Sequence, residues 1–233
     1  MYITLKYDSD IYSTLNFAGK SFTFDFSDER VRYGNYLLLP GDTGIGKSTL
    51  VNTIRSFQCD NVDEKENKDF PKLGYSSIKS YIDHVKIETD FKKFFFLSSA
   101  FDDPMSYENS ADASYFLIYG GYQSKHMSTG EKSLFMLNRF LKFNMSYFDN
   151  DTLVVLDEAD SGLSLKYQIG FYKLLENTHI KTKANILTIS HSLFLAQMAY
   201  DVYDLKKNDI VKGTDYLLDT TGYSFGIPVR HDL

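Results

Sequence analysis

Gly41 through Ser48 read "GDTGIGKS" and satisfy G-x-x-x-x-G-K-[ST] at every fixed position. Glycines at those places let the backbone curl until successive N–H groups point inward at phosphate oxygens. A helix starting near Lys47 adds the positive end of its dipole. Lys47 is then placed to reach the β- and γ-phosphates of a nucleotide, and the Ser48 hydroxyl to ligate Mg²⁺. The set expected to face the nucleotide is Gly41, Asp42, Thr43, Gly44, Ile45, Gly46, Lys47, Ser48 and the adjoining Thr49.

Two further stretches end in groups that could act on such a phosphate. "TLVVLDEAD" is an apolar run that closes on Asp157 and Glu158. At the carboxyl end of a parallel strand these side chains emerge into the crevice where ligands sit. Asp157 is placed there to hold Mg²⁺ through water, and Glu158 to orient or deprotonate the water that attacks the γ-phosphate. "NILTISHS" repeats the arrangement with His191 at the tip, where an imidazole could contact the γ-phosphate and sense its loss. His84, His126, His179 and His231 have no comparable setting. The stretch "STGE" is open to two readings. Ser128 and Glu131 form a capping box ahead of an apolar run. Alternatively, Ser128 and Gly130 face outward, so that a helix N-terminus and a hydroxyl await a phosphate held by another molecule.

These residues need strand tips and helix starts to carry them. Residues 2–7, 22–26 and 36–39 read as strands, the third ("YLLL") continuously apolar like a buried central strand. A helix follows to about Phe57, then a polar, charged loop, "CDNVDEKENKDFP". Between Leu73 and Tyr122 the pattern suggests a helix near 76–84, a very apolar "FFFLSS" at 94–99 and a polar stretch to about 113. We read this as a sub-lobe inserted in the core, with residues 73–145 including "STGE". Helices are expected at 131–146, 165–176 and 192–199, and strands at 152–156, 185–189 and 202–205. This alternation indicates an α/β fold with a mostly parallel sheet.

The 233 residues suit one unit, a single domain over 1–233. The net charge of −6 supplies no global basic field, so nucleic acid is possible but not favoured as a partner. The Lys pairs at 92–93 and 206–207 read as solvated faces. A single cysteine, Cys59, excludes an internal disulfide and a Cys-rich metal site and fits a reducing cytosol. The N-terminus is neither signal peptide nor anchor, and no apolar run approaches the roughly 20 residues that span a bilayer. A cytoplasmic protein with no direct membrane insertion is expected.

The order phosphate loop, "STGE", "VVLDEADSGLS" and "ISHS" resembles the ATP-binding cassette (ABC) ATPases from about residue 2 to 210. The resemblance implies a P-loop NTPase of ABC type with N-terminal antiparallel strands, using ATP and Mg²⁺ as an ATP hydrolase. It also implies a head-to-tail dimer, homo or hetero, in which Ser128 and the Gly130 N–H bind the γ-phosphate in trans. Catalysis would then rest on Lys47, Glu158 and His191, and the metal on Ser48 and Asp157. Ser161 to Ser164 ("SGLS") matches the D-loop, with Ser164 departing from the usual Asp. The Gln of the transporter Q-loop has no counterpart, Ser98 or Ser99 standing nearest.

Glu131 and "SHS" resemble the soluble branch: SMC-like heads, OLD-type ATPases and short stand-alone bacterial ATPases. No heptad array follows the phosphate loop, which argues against an SMC arm, and the end at Leu233 is taken to leave no room for an OLD-type nuclease. The expectation is therefore a soluble ATPase that couples dimer closure to a separate effector protein, in phage defence or DNA repair. The alternative is the nucleotide-binding subunit of a membrane ABC transporter.

Overall fold

The computed structural model describes residues 1–9, 17–27, 36–42, 44–58, 83–98 and 128–222. In chain order the elements are β1 (Tyr2–Tyr7), β2 (Ser21–Asp25), β3 (Tyr36–Pro40), α1 (Lys47–Gln58), β4 (Val85–Thr89) and β5 (Lys93–Ser98). Then come α2 (Thr129–Asn144), a 3₁₀ turn (Met145–Tyr147), β6 (Thr152–Asp157), α3 (Leu165–Thr182) and β7 (Asn185–Ser190). Finally there are α4 (Leu193–Met198), β8 (Asp201–Asp204), β9 (Asp209–Lys212) and α5 (Gly213–Thr221).

Six strands form the main sheet in the order β5-β6-β7-β3-β8-β9. The first five are parallel, and β9 returns antiparallel along β8. A second sheet, β2-β1-β4, is antiparallel throughout. The α/β class, the parallel sheet and the N-terminal antiparallel strands expected from the sequence are all present. The proposed helix near 76–84 lies almost wholly outside the described residues, as does most of the inserted sub-lobe.

Alternation along the strands divides the apolar residues between two cores. Leu37, Leu39, Leu153, Val155, Leu187 and Ile189 face α1 and the antiparallel sheet, where Ile3, Leu5, Phe22, Phe24, Leu50 and Ile54 complete the packing. Leu38, Val154, Leu156 and Ile186 face the opposite way, against Leu137 and Leu141 of α2, Phe171 and Leu175 of α3, and Leu195 of α4. With both faces covered, β3, β6 and β7 must be apolar at nearly every position, as parallel central strands are. Each fully buried leucine contributes about 2 kcal/mol relative to exposure, so the strand tips are fixed points.

Register sets those tips level. Pro40 pairs with Ser190, Asp157 with Ile189 and Ser98 with Asp157. The phosphate loop, the Asp157–Glu158 pair and His191 therefore all leave the sheet at one edge. That edge is the carboxyl end of the parallel strands, beside the β3 position where strand order reverses.

Candidate functional site

The loop after β3 is shaped from behind by aromatic packing. Gly46 has φ +100°, and a Cβ there would lie 2.2 Å from Cζ of Phe17. Phe17 is itself held edge-on to Phe22 at 4.7 Å between ring centres. Only glycine fits this position, on both backbone and steric grounds. Thr43 lies outside the described residues.

Lys47 opens α1 with its side chain only 4% exposed. Its ammonium donates to the carbonyls of Gly41 at 2.7 Å and Asp42 at 2.8 Å, and lies 3.5 Å from Nδ1 of His191. Burial pushes its pKa down, while Glu158, Asp42 and Asp157 draw it back up. The ammonium has three protons to place. Each is directed at an acceptor in the loop or at the imidazole, and phosphate oxygens would replace those acceptors. Ser48 is exposed beside it.

At the tip of β6, Oδ1 of Asp157 is buried without a hydrogen-bond partner. Burial pushes its pKa up, the Glu158 charge adds to this, and Arg55, Lys47 and His191 oppose it. A buried carboxylate oxygen left without a donor is the counterpart a cation requires. Among the described residues no three His, Cys, Asp or Glu side chains gather as a metal cage. Mg²⁺ needs none, since it typically takes one or two protein oxygens with water and phosphate. The donor set thus fits Mg²⁺ with Asp157 and Ser48 as the groups that would hold it.

Glu158 occupies the left-handed region with φ 51°. A non-glycine residue there is a source of strain that native structures concentrate at working sites. Its N–H donates to the Ile189 carbonyl at 3.0 Å, which ties the corner to β7. Oε1 lies 2.9 Å from Nε2 of His191, both side chains being partly exposed. With Lys47 donating to Nδ1, the consistent tautomer carries its proton on Nε2 and gives it to Glu158. The sequence-predicted Lys47, Asp157, Glu158 and His191 are thus assembled at one edge, from three parts of the chain.

"STGE" is a full capping box at the start of α2. Glu131 Oε2 accepts from the Ser128 N–H at 2.9 Å and from its hydroxyl at 2.8 Å, and Ser128 Oγ accepts from the Glu131 N–H at 3.4 Å. Ser128 is exposed, whereas Gly130 is buried. A Cβ on Gly130 would lie 3.0 Å from the Gly162 carbonyl, so glycine here lets α2 approach residues 161–164 of the same chain. Tyr167 donates to the other Glu131 oxygen at 3.1 Å.

Sequence reasoning did not single out Tyr167, Asp160 or Gln168. Their partners lie 24 to 36 residues away in the chain, beyond any local pattern. Three of the four lysines at 92–93 and 206–207 pair with acids. Lys92 pairs with Asp151 at 2.6 Å, Lys93 with Asp149 at 2.5 Å, and Lys207 with Asp219. His179 is buried and hydrogen-bonded through Nδ1 to the Ala184 carbonyl at 2.8 Å, a structural role at the end of α3.

No protein-family model matches the chain. Individual relatives do. The zinc import ATP-binding protein ZnuC of Photorhabdus laumondii is 26% identical over 212 residues, covering 86% of this chain and 79% of that protein. ZnuC of Paracoccus denitrificans is 27% identical, covering 75% and 65%. ZnuC of Buchnera aphidicola subsp. Baizongia pistaciae is 28% identical, covering 71% and 66%. A solved structure described as an inward-facing metal-chelate-type ABC transporter shares the fold, with a TM-score of 0.55 over 93% of this chain and 87% of that one, at 17% identity.

These relatives overturn the placement among stand-alone, OLD-type and SMC-like ATPases, and with it the soluble ATPase acting on a separate effector. That placement rests on Glu131 and "SHS", with the missing Gln near Ser98 counted against a transporter subunit, whereas the likeness to these relatives extends over most of the chain. Ser98 is the last residue of β5, directly in register with Asp157, and Ser99 lies outside the described residues. The fold and the phosphate loop are formed without a Gln there. Among the described residues no helix is long and apolar enough to cross a membrane. Motif order, sheet topology and relatives agree: over most of its length the chain is similar to ATP-binding proteins of ABC type, and it is an ATP hydrolase working with Mg²⁺.

Proposed function

We propose that this chain is the ATP-binding subunit of a membrane ABC transporter, acting with a separate permease. The observation that carries this reading is the alignment of zinc import ATP-binding proteins over 71% to 86% of its length. Transport of a metal ion is accordingly the first cargo to test. Within the site, Lys47 and the loop N–H groups hold the β- and γ-phosphates, and Ser48 and Asp157 take the Mg²⁺. That ion, when bound, neutralises charge developing on the phosphates. Glu158 orients the attacking water and receives its proton. His191 contacts the γ-phosphate and, through its 2.9 Å bond, keeps Glu158 aimed. Two copies meet head to tail, and Ser128 and Gly130 of one complete the site of the other, giving two equivalent sites about a two-fold axis. The exposed hydroxyl of Ser128 and the N-terminus of α2 support that role, for they form a ready anion site once Glu131 releases the hydroxyl.

The test is affinity purification from native membranes of the Glu158→Gln form in Mg²⁺ and ATP, with Lys47→Ala as control. A multi-spanning membrane protein retained by the trapped form is expected, together with impaired zinc uptake when the gene is deleted. Retention of a soluble protein alone, with metal uptake intact, would refute the transporter reading.

The Asp157 assignment makes its own prediction. At neutral pH its half-buried carboxylate, with Oδ1 buried and unpartnered, sits beside Glu158, so Asp157→Asn removes a destabilising charge. The variant is expected to melt about 2–4 °C higher than wild type while losing on the order of 100-fold or more in Mg²⁺-dependent turnover. Calorimetry beside a phosphate-release assay measures both. A lower melting temperature would mean that Asp157 is structural.

A further inference from the structure

Beyond the groups that face the nucleotide, the structure shows what holds His191 in place. His191 stands between two serines, and each is tied to the segment following Glu158. Ser190 donates from Oγ to Oδ2 of Asp160 at 2.6 Å, a buried bond. Ser192 donates from Oγ to Oε1 of Gln168 at 2.7 Å. The two serines are joined by the Ser192 N–H, which donates to Ser190 Oγ at 2.9 Å. Gln168, in the first turn of α3, also donates from Nε2 to the Leu163 carbonyl at 3.1 Å. Its orientation is fixed by chemistry, because the Leu163 carbonyl only accepts and so must face the amide NH₂. Oε1 is thereby left for the Ser192 hydroxyl.

We propose that Gln168 is a positioning residue for His191. It clamps the Ser192 hydroxyl to the Leu163 backbone carbonyl, so that the partly exposed ring with its precise bond to Glu158 is carried on an anchored segment. Gln168 lines the same cleft as Glu158 and His191 without touching either side chain's functional end. Gln168 combines an acceptor for the Ser192 hydroxyl with a donor for the Leu163 carbonyl. Glutamate would set a carboxylate against the Leu163 carbonyl, and leucine, of similar volume, would leave both Leu163 O and Ser192 Oγ without this partner. Loss of the clamp lets the segment 190–192 shift by fractions of an ångström, and geometry errors of that order lower chemical steps without greatly altering ground-state binding. Residues 161–164 are held at the same time, with the α2 N-terminus packed on their other side through Gly130 and with Ser133 reaching the Ser161 carbonyl at 3.4 Å. The clamp thus joins the loop carrying His191 to the segment against which the capping box rests.

The inference depends on His191 acting at the γ-phosphate as proposed above, and the experiment separates the two claims. Steady-state ATP hydrolysis is measured for wild type, Gln168→Leu, Gln168→Glu, His191→Ala and the double variant Gln168→Leu/His191→Ala. Gln168→Leu is expected to lower kcat about 10-fold with KM for ATP within about two-fold, a loss seen only in the chemical step. Gln168→Glu, which keeps the Ser192 bond and loses the Leu163 bond, lowers kcat less and serves alone if the leucine variant does not fold. In the His191→Ala background, Gln168→Leu should cost nothing more, since the residue acts through the ring now missing. An added loss in that background identifies a general structural role and overturns the proposal. Normal kcat in both Gln168 variants, with His191→Ala impaired, overturns the clamp alone. Full activity of His191→Ala overturns the assignment of His191 itself, and the clamp's purpose with it.

Discussion

Lys47→Ala is expected to lose nearly all measurable ATP affinity, by roughly 10²- to 10³-fold, and turnover with it. At about 3 Å and an effective dielectric of about 20, an ammonium and one phosphate charge attract by about 5 kcal/mol. Part of this is offset because Lys47 must leave the Gly41 and Asp42 carbonyls, to which it already donates at 2.7 and 2.8 Å. A remainder of about 3–4 kcal/mol corresponds to the affinity change stated. The side chain is already buried, so the desolvation that would weaken such a contact has been met in folding. Two carbonyls also lose their donor in the variant, so the loop itself relaxes. The measurement is the shift in melting temperature with MgATP, which follows the free ligand concentration over Kd. The wild type should shift and the variant should not. An equal shift in both would show that the phosphates bind elsewhere.

How much of this was visible in the sequence depended on the range of the interactions. The continuous run "YLLLP" forces a doubly covered strand, and its end fixes where the phosphate loop starts; both were legible because burial pattern and turn chemistry are local. The same holds for "TLVVLD" and "NILTIS", whose tips deliver Asp157 and His191. Strand β4, "VKIET", alternates in the sequence but is short and faces solvent for part of its length, so its pairing with β1 was not anticipated. Nor were β9 and α5, two short elements. Helix α3 runs to Thr182 rather than ending near 176, because the polar-looking "ENTHIKT" buries Thr178 and His179. The hydrogen bonds that tie Ser190 to Asp160 and Ser192 to Gln168 link residues 30 and 24 apart, which no periodicity encodes.

The misreading of function had a different origin. The choice of the soluble branch rests on Glu131 and "SHS", a handful of side chains set against a likeness over most of the chain. Glu131 illustrates why such positions mislead. In the structure its carboxylate serves α2 itself, accepting from the Ser128 N–H and hydroxyl and from Tyr167. Those bonds hold its pKa below the usual carboxylate range. A residue so occupied reports helix capping before it reports lineage.

Glu158→Gln should leave ATP binding intact and slow hydrolysis by about 10²- to 10⁴-fold, the range that a positioned general base contributes. Glutamine keeps the length and shape of the side chain and its acceptor toward Nε2 of His191, now at 2.9 Å from Oε1, so the histidine has no reason to move. What it loses is the ability to take a proton from water. The backbone provides a control on this interpretation. Glu158 sits at φ 51°, which costs any residue with a Cβ about 1 kcal/mol or more, and glutamine bears the same strain. Stability should therefore be unchanged in Glu158→Gln and raised in Glu158→Gly, where the strain disappears, although both are inactive. Activity and stability then move independently at one position, which a merely folding-related defect cannot produce. With hydrolysis blocked and binding intact, ATP should hold two copies together, read as an ATP-dependent dimer on size exclusion that Lys47→Ala does not form. Turnover of Glu158→Gln at the wild-type rate would assign the base elsewhere, and His191, the next group at the tip of β7, would be first to examine.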